Sequence, residues 1–470
     1  MNTGFIYSRA SRLTHTAQSL PEASPDQLSR VNSRWTAHDE MRTILCRHTR
    51  TVTPRGRPVH IPPTAAHGPA PALFAALTLE GVSTTVDHIR TFLDSYQPPT
   101  PCLVVDVDTV VDRYTALATA FADARVQYAV KANPQPAVIE ALVEAGAAFD
   151  VASPGEIDLC LKSGARPETL SYGNPIKKPA DIAHAAASGV REYTTDSASD
   201  LDHLARHAPG AEVSVRLLVE GGPDSATPFG QKFGCAADDA VALLRRAARS
   251  GLDPVGVSFH VGSQQLDPRA WHVAVGAAAA VFTRAAEHGV PLRRLNVGGG
   301  FGIAYTEHAP GPPAYARAVN SAVRDHFGEA PELVCEPGRA VVAEAGLIRS
   351  EVVVVSRKRP DDPHRWVFLD IGRYNGLAET ENEAIAYRLV PERDHSSEDG
   401  PVIIAGPTCD GDDVLYQRTP YRLPLSLRAG DRIDILASGA YTASYSSVAF
   451  NGIEPLRTYC ISEGRLISAE

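Results

Sequence analysis

The sequence has few cysteines and no arrangement of them that would build a metal site or a disulfide framework. Its 470 residues contain seven cysteines, which are scattered, odd in number and never spaced as Cys-x-x-Cys. This pattern argues against a disulfide-stapled secreted domain and against a cysteine zinc site, and it favours a reducing cytoplasm. We therefore predict no metal, and we expect every cysteine except Cys409 to be a packing residue.

Long apolar runs and an excess of positive charge are also missing. The run of small apolar residues from 274 to 282 is too short and too rich in alanine to span a bilayer. The net charge is −10 at pH 7, which gives no reason to expect nucleic acid as a partner. We expect a soluble protein without membrane or nucleic-acid partners, whose 44% hydrophobic content suffices for two domains.

Residues 1–95 lack sustained periodicity and differ in charge from the rest of the chain. Nine arginines stand against four acidic residues within residues 1–70, among frequent serine, threonine and proline. We predict a disordered basic extension, or a chain that starts at Met41. Asp39 and Glu40, together with the lack of an amphipathic helix, argue against a transit peptide, and no signal-peptide apolar core is visible.

From residue 96 to 340, short β-type runs alternate with helical stretches. After a first strand at 102–106 and a helix at 109–123, eight strands are predicted at 128–131, 149–152, 170–173, 193–196, 213–217, 257–261, 294–297 and 333–336. The helices between and after them are predicted at 137–145, 155–163, 179–188, 199–207, 237–250, 268–288 and 312–327. Because every parallel strand needs a crossover to return, this alternation predicts an α/β fold with a (β/α)8 barrel. An open doubly wound sheet is the alternative.

The helical alternation stops near residue 340. Residues 341–470 contain β-type segments between proline, glycine and aspartate turns, at 341–345, 348–355, 366–370, 402–405, 432–436 and 458–461. We interpret them as an antiparallel β domain that follows the barrel. The strand at 102–106 could pair into this domain rather than into the barrel.

One lysine stands in an otherwise apolar run. Lys131 lies in the segment Tyr128-Ala-Val-Lys-Ala-Asn133, where a charged amine is costly to bury, so the lysine should be neutral, paired or covalently used. It is the first candidate for a Schiff base. Other polar residues also fall at or just past the predicted strand ends, where barrel active sites are built: they are Asp150, Arg216, His260, Gly298, Gly299, Gly300 and Glu336.

Two further requirements of a pyridine cofactor are met nearby. The glycine run 298–302 after a strand leaves backbone N–H groups free for an anion, and Arg339 and Ser263 could add a charge-assisted clamp and a hydroxyl. Glu336 is suited to keep a ring nitrogen protonated, although it could instead form an ordinary ion pair with Arg339. Lysine, phosphate cradle and carboxylate together indicate pyridoxal 5′-phosphate.

The chain resembles the ornithine and diaminopimelate decarboxylases of the alanine-racemase-like fold. The resemblance covers residues 98–465 and rests on six motifs in order, which begin at Tyr128, Ser258, Gly298, Cys335, Gly406 and Gly439 and read YAVKAN, SFHVGS, GGGFG, CEPGR, GPTCDG and GAYT. It implies a Schiff-base role for Lys131, stacking of His260 on the cofactor ring and contact of Glu336 with the ring nitrogen. Matching positions hold the phosphate (Ser263, Gly300, Arg339 and Tyr441) or lie around the cofactor (Asp150, Glu156 and Arg216).

The same resemblance implies a shared active site and a type of substrate. Cys409 resembles the proton donor to the decarboxylated carbon, and Asp410 resembles the group that meets the distal amine of the substrate. Members of the family are head-to-tail homodimers whose cysteine and aspartate enter the neighbouring subunit's site. Aspartate after this cysteine is typical of the ornithine and lysine enzymes, whereas the diaminopimelate enzymes use glutamate there.

Substrate choice within this group stays open in the sequence. Asp410 favours an amino acid with a cationic tail, and we expect ornithine ahead of lysine, diaminopimelate or a specialised amino acid. The Tyr-Asp pair that eukaryotic ornithine decarboxylases place ahead of the Cys-Asp motif is not seen, and Gly376-Leu-Ala-Glu379-Thr380 stands in that neighbourhood, which resembles bacterial members. The carboxylate run Glu379-Thr-Glu381-Asn-Glu383 follows, and Glu383 lies nearest the missing aspartate. Glu379 and Glu383 are candidates for amine contacts, or else solvate a surface helix.

Two other functions are weighed against decarboxylation. A racemase on the same fold would need two opposed acid/base groups, and the Cys409-Asp410 motif and Glu336 argue against it. A catalytically inactive homologue that only binds partners would have lost the lysine or the phosphate ligands, and the sequence retains them.

Overall fold

The computed structural model describes residues 80–219, 225–227, 230–393 and 398–470. Its first elements are helix α1 (Glu80–Tyr96) and strand β1 (Cys102–Asp106). The predictions for residues 1–79, including the start at Met41 and the packing of Cys46, lie outside the described residues.

Eight parallel strands close into a barrel, as the sequence predicts. They are β2 (Ala124–Ala129), β3 (Ala148–Val151), β4 (Leu170–Tyr172), β5 (Glu192–Thr195), β6 (Glu212–Arg216), β8 (Asp253–Ser258), β10 (Arg294–Asn296) and β11 (Glu332–Cys335). Each strand pairs with the next in this order, and β11 pairs with β2 to close the ring. The short strands β7 (Ser225–Thr227) and β9 (Ser263–Gln265) pair with each other outside the barrel.

Helices precede or connect the barrel strands. They are α2 (Val107–Ala120), α3 (Pro136–Glu144), α4 (Pro154–Lys162), α5 (Pro179–Ala187), α6 (Ala198–His207), α7 (Ala237–Arg249), α8 (Ala270–Glu287) and α9 (Pro312–His326). Several begin at a residue that caps free backbone N–H groups: Ser153 accepts from Glu156, and Ser197 accepts from Asp200. Such capping fixes where the loops after β3 and β5 end and the helices α4 and α6 begin.

The second part of the chain forms a nine-stranded sheet. Its later strands are β12 (Gly346–Ser356), β13 (Arg365–Leu369), β14 (Arg388–Pro391), β15 (Asp399–Ala405), β16 (Val414–Pro424), β17 (Arg432–Leu436), β18 (Arg457–Ser462) and β19 (Arg465–Ala469). Most pairs are antiparallel, and β13 with β15 and β1 with β18 are parallel. Strand β1 lies inside this sheet between β12 and β18, so it belongs to the β domain and not to the barrel.

The structure corrects two local predictions. Residues 341–345, predicted as a strand, form the short helix α10 (Arg339–Val342) and a 3-10 turn at Ala343–Ala345. A short apolar run does not distinguish a buried strand from a buried helical turn. Residues 80–95, predicted within the disordered extension, form most of α1, which buries Ile89, Phe92 and Leu93.

Helix α1 is held on the β domain by apolar packing and by a buried ion-pair network. Ile89, Phe92 and Leu93 pack with Tyr459 and other residues of the sheet. Arg349 on β12 lies opposite Asp434 on β17, and the two side chains are 2% and 0% exposed. Asp434 also accepts from Nε of Arg90 on α1 at 2.8 Å. The carboxylate of Asp434 therefore links helix α1 to strands β12 and β17.

The cysteines of the described residues carry no disulfide. Cys102, Cys160, Cys335 and Cys460 are buried and Cys235 is half-buried, whereas Cys409 is exposed. Their placement matches the predicted packing role and sets Cys409 apart. Within the described part of the chain, no helix has the length and apolar character needed to cross a membrane.

Replacing Asp434 by alanine should lower the free energy of unfolding by about 3 kcal/mol, because buried Arg349 loses the carboxylate at its Nε and is left with Glu392, 2.9 Å from its Nη1, and Asp94. Urea unfolding followed by circular dichroism measures this change. Asp202→Ala removes a surface ion pair with Arg246 whose side chains are 43% and 44% exposed, and this control should cost less than about 1 kcal/mol. Equal losses in the two variants would contradict the proposed importance of the network.

Candidate active site

Lys131 lies on a turn directly after β2 and not in the strand itself, which corrects the sequence prediction. The strand ends at Ala129, and Val130–Ala132 form one turn of 3-10 helix. The β domain holds this turn: the backbone N–H of Tyr441 donates to Ala132 O at 2.8 Å, and Asn133 Nδ2 donates to Gly439 O at 2.9 Å. The lysine is thus placed by both domains of the chain.

The amine of Lys131 is paired, one of the three states that the sequence allowed. Its Nζ lies 3.0 Å from Oδ2 of Asp150, which ends β3, and its side chain is 49% exposed at the open end of the barrel. Burial lowers the pKa of Lys131, whereas Asp150, Tyr441 and Glu336 raise it by a larger amount. The net pKa therefore lies above its ordinary value. The protein without cofactor therefore carries an ammonium group here.

Asp150 and Glu156 form the acidic side of this cluster. A Cβ at Gly173 would lie 2.0 Å from Oδ1 of Asp150, so glycine at that position leaves the space that the carboxylate occupies. Glu156 accepts a hydrogen bond of 2.6 Å from the backbone N–H of Ala152. Burial raises the pKa of Glu156, and the neighbouring Asp150 raises it further.

Glu336 follows β11 and points to the same cluster. Asn296 Nδ2, at the end of β10, donates to Glu336 Oε1 at 2.6 Å. Burial and the charge of Asp150 raise the pKa of Glu336 to about 7, and Lys131 and Arg216 act in the opposite direction. The alternative role predicted for Glu336 was an ion pair with Arg339. In the structure Arg339 pairs with Glu379 instead.

His260 is a neutral imidazole. Burial lowers its pKa well below the ordinary value, and the positive charges of Arg216 and Lys131 lower it further. Its Nδ1 accepts from the backbone N–H of Gly262 at 3.0 Å, so the ring proton is on Nε2. Arg216, at the end of β6, packs over the ring of Phe233 at 5.0 Å. A neutral ring can lie against a cofactor without adding charge to the cluster.

The glycine run after β10 has a shape that other residues could not adopt. Gly298 and Gly300 have φ of 67° and 98°, in the left-handed region. A Cβ at Gly299 would lie 2.3 Å from Glu336 O, and a Cβ at Gly300 would lie 2.2 Å from Gly262 O. The loop therefore packs against the backbone on two sides, and its close approach requires glycine.

Arg339 contacts Ser263, the neighbour of the residue against which Gly300 packs. Its guanidinium donates to Ser263 Oγ at 3.2 Å and to the Tyr305 hydroxyl at 2.8 Å, and it lies 5.0 Å from the centre of the Tyr441 ring. The side chain is 3% exposed, and its Nε is buried without a partner. Tyr305 is a member of this site that the sequence did not reveal, because no motif contains it.

Glu379, predicted as a substrate contact, lies in this cradle. Its two carboxylate oxygens accept from the two terminal nitrogens of Arg339 at 2.6 and 2.8 Å, and its side chain is 14% exposed. Both oxygens are used by the arginine, so the structure gives the carboxylate a role in holding Arg339 in place.

Glu383, the second predicted amine contact, is occupied elsewhere, which corrects that prediction. Its carboxylate accepts from the backbone N–H groups of Gln417, Arg418 and Thr419 and from the Thr419 hydroxyl. Burial raises the pKa of Glu383, but these hydrogen bonds outweigh it and bring the pKa to about 2. The residue anchors its turn to β16.

Cys409 and Asp410 lie on a loop whose described contacts do not include Lys131 or the cradle. Cys409 is exposed and contacts Asn451, and Asp410 hydrogen-bonds to Tyr374. Buried Asp413 fixes the loop by accepting from Thr408 N and Oγ1 at 3.0 and 2.7 Å. Within the described part of one chain, therefore, the predicted acid and the predicted lysine are not brought together.

A sequence model of the pyridoxal binding domain of the pyridoxal-dependent decarboxylases matches residues 107–343. The chain belongs to this family. Lysine/ornithine decarboxylase of Selenomonas ruminantium is 34% identical over 359 residues, which cover 75% of this chain and 88% of the relative. Chloroplastic ornithine decarboxylase of Nicotiana glauca is 33% identical over 364 residues, which cover 75% and 81%.

Solved structures of decarboxylases have the same fold as this chain. Lysine/ornithine decarboxylase from Vibrio vulnificus, complexed with cadaverine, matches with a TM-score of 0.71 and 28% identity. The match covers 80% of this chain and 98% of the other. These comparisons confirm the predicted family, the barrel with its β domain and pyridoxal phosphate as cofactor.

The residues of the site fit pyridoxal phosphate. Arg339 and Ser263 supply donors beside a glycine run that admits close approach of an anion. Lys131 supplies an amine at the carboxyl end of the barrel, and Glu336 supplies a carboxylate of the type that a protonated pyridine nitrogen needs.

Replacing Glu379 by alanine should lower the free energy of unfolding of the cofactor-free protein by about 3 kcal/mol, because Arg339 is left buried and unpaired. Pyridoxal phosphate should restore part of this loss, because its phosphate can accept from the freed guanidinium. Urea unfolding with and without cofactor measures both effects. The neighbouring exposed Glu381→Ala is the control. A loss shared by both variants would contradict the assignment.

Replacing Glu383 by glutamine should destabilise the protein by about 2 kcal/mol at neutral pH, because the carboxylate's hydrogen bonds weaken. The folded pKa lies below the unfolded value of about 4.3, so this stability exists above that value and is lost as the pH falls towards 2. The difference in unfolding free energy between wild type and variant should therefore shrink from pH 5 to pH 2. A constant difference, as Glu381→Gln should show, would oppose this account.

Proposed function

We propose that this chain decarboxylates a basic L-amino acid, with L-ornithine as the preferred substrate and putrescine and CO2 as products. The observation that carries the proposal is the cluster of Lys131, Asp150 and Glu336 beside the arginine-lined glycine run. Membership in the pyridoxal-dependent decarboxylase family supports loss of a carboxyl group as the chemistry. Lysine is the second candidate, because two of the matched relatives are named lysine/ornithine decarboxylases.

Each residue of the cluster has a chemical task. Lys131 would hold the cofactor covalently, and Asp150 orients its amine by a 3.0 Å hydrogen bond. Glu336 would be the carboxylate for the pyridine nitrogen, and Asn296 fixes this carboxylate. When bound, the cofactor would draw away the electrons left at Cα as CO2 departs. Neutral His260 would lie beside it, and Ser263 and Arg339 would bind the phosphate.

The last step needs an acid, for which we assign Cys409. Its thiol gives a proton to the substrate Cα, the C–H bond forms as the S–H bond breaks, and water returns the proton to sulfur. Asp410 stands next to it and would meet the distal amine of the substrate by charge. Among the described residues of one chain this loop has no contact with Lys131, so both groups would act in the active site of a second copy.

The surface around the loop supports a homodimer. Tyr445, Val448 and Phe450 lie in the segment that contacts the Cys409 loop, and they are 61%, 80% and 37% exposed. An apolar surface next to reactive groups is typical of a face covered by another protein. Two copies related by a twofold axis would each supply a lysine to one site and a cysteine to the other. A cytoplasmic location is also part of the proposal, supported by the unpaired thiols.

Incubation with ornithine, lysine, arginine and meso-diaminopimelate should release CO2 fastest from ornithine, with putrescine as the amine. Borohydride reduction of the cofactor-loaded protein should place the pyridoxyl group on Lys131 in a peptide map. Lys131→Ala should lack both the visible absorption of the bound cofactor and the activity. Lys162→Ala, at an exposed position, should retain both. Mapping to another side chain would refute the assignment.

Cys409→Ala should lower kcat by at least about 100-fold, because it removes the general acid. Mixing Cys409→Ala with Lys131→Ala, each inactive, should restore activity to about a quarter of wild type, because half of the randomly formed dimers carry one intact site. Sedimentation of the same samples checks that dimers form. No recovery from an exchanging mixture would overturn the shared site.

A further inference from the structure

Asn451 makes two contacts with Cys409, one to its backbone and one to its sulfur. The side-chain Oδ1 accepts from the backbone N–H of Cys409 at 3.0 Å, and Nδ2 lies 3.3 Å from Sγ. A backbone N–H can only donate, so it must face the carbonyl oxygen of the amide. The NH2 group is then directed at the sulfur, and the orientation of the amide is fixed by its own contacts.

The turn that carries Asn451 has supports besides its contacts with Cys409 itself. Asn451 and Gly452 have φ of 55° and 70°, a conformation that asparagine and glycine adopt most readily. The neighbouring Phe450 packs on the ring of Tyr374 with 4.6 Å between the ring centres, and Ser447 N donates to Tyr374 O at 2.8 Å. The asparagine therefore meets the cysteine from a turn with its own supports.

The Cys409 loop is held from its other side as well. Asp413 is 2% exposed, and beyond its contacts with Thr408 it accepts from the backbone N–H of Arg373 at 2.8 Å. A Cβ at Gly406 would lie 2.4 Å from either oxygen of this carboxylate, and a Cβ at Gly372 would also collide with it. With the backbone of the loop set by Asp413, the sulfur is left with Asn451 as its described polar neighbour.

We propose that Asn451 is a positioning residue for the acid step: it orients the Cys409 thiol and stabilises the thiolate left after the proton is delivered. The inference rests on the proposed role of Cys409 as proton donor. When the S–H bond breaks and the Cα–H bond forms, a full negative charge develops on sulfur. An N–H donor 3.3 Å away interacts more strongly with that charge than with the neutral thiol, so it favours the charged product of the transfer.

Two variants distinguish the effect of the Asn451 N–H donor from the effect of the backbone turn that carries it. Asn451→Asp keeps an oxygen for the Cys409 N–H and removes the donor to sulfur. Asn451→Gly removes both contacts and retains a residue that adopts the left-handed conformation. Asn382→Asp is the matched control, because Asn382 is another exposed asparagine with φ of 54° in a different turn. Circular dichroism and cofactor content establish that all three fold and bind pyridoxal phosphate.

The first measurement is the rate of alkylation of Cys409 by iodoacetamide in the holoenzyme, followed by mass spectrometry of its peptide. The thiolate is the reactive form, so Asn451→Asp should react about tenfold more slowly than wild type at the same pH. Asn382→Asp should react at the wild-type rate. Wild-type alkylation rates in both Asn451→Asp and Asn451→Gly would overturn the proposal.

The second measurement is kinetic and links the two residues. Asn451→Asp should lower kcat about tenfold with little change in KM, and it should have no further effect in the Cys409→Ala background. An equal loss in both backgrounds would show a role that does not pass through the thiol and would refute the proposal. If Cys409→Ala kept full activity, the proposed function of Cys409 would fail, whereas the alkylation rates would still report on Asn451.

Discussion

The site depends on one ammonium group held among carboxylates. Burial acts to lower the pKa of Lys131, yet Asp150 at 3.0 Å, Tyr441 and Glu336 outweigh this effect and keep the amine charged. The same proximity acts on the acids, because Asp150 helps to raise the pKa of Glu336. The same side chains would hold pyridoxal phosphate, with Lys131 as the covalent anchor and Glu336 as the carboxylate for the ring nitrogen.

Much of the fold was predictable because each barrel strand has its own local pattern. Short β-type runs separated by helices define the barrel, and polar groups such as Asp150 and Glu336 mark the strand ends. The failures were local. Residues 341–345 and the turn at Lys131 are apolar and short, and such runs carry no period that separates a strand from one helical turn. Helix α1 was missed because its apolar positions, Ile89 and Phe92 among them, adjoin a long stretch of basic and proline-rich composition.

The site was predictable only where the residue type and its immediate sequence neighbours indicate one chemical role. A lysine in an apolar run and glycines after a strand could be interpreted directly, whereas the acidic run 379–383 could not. Glu379 and Glu383 are the same residue type four positions apart, and one holds Arg339 while the other anchors β16. The hydrogen-bond partners of Glu379 and Glu383 lie about 40 residues away in the sequence. No local sequence pattern encodes such pairings. Asn451 and Tyr305 escaped for the same reason.

The anchoring of the lysine turn by residues 439–441 makes the barrel's reactive amine dependent on the other domain. The barrel supplies the reactive amine, but the carbonyl and N–H groups that fix its backbone belong to the loop after β17. A fragment that ends near residue 340 would contain nearly all of the pyridoxal binding domain. It would lack the hydrogen bonds from residues 439 and 441 that hold the turn of Lys131. The two domains therefore depend on each other at the lysine turn, through hydrogen bonds that join positions more than 300 residues apart in the chain.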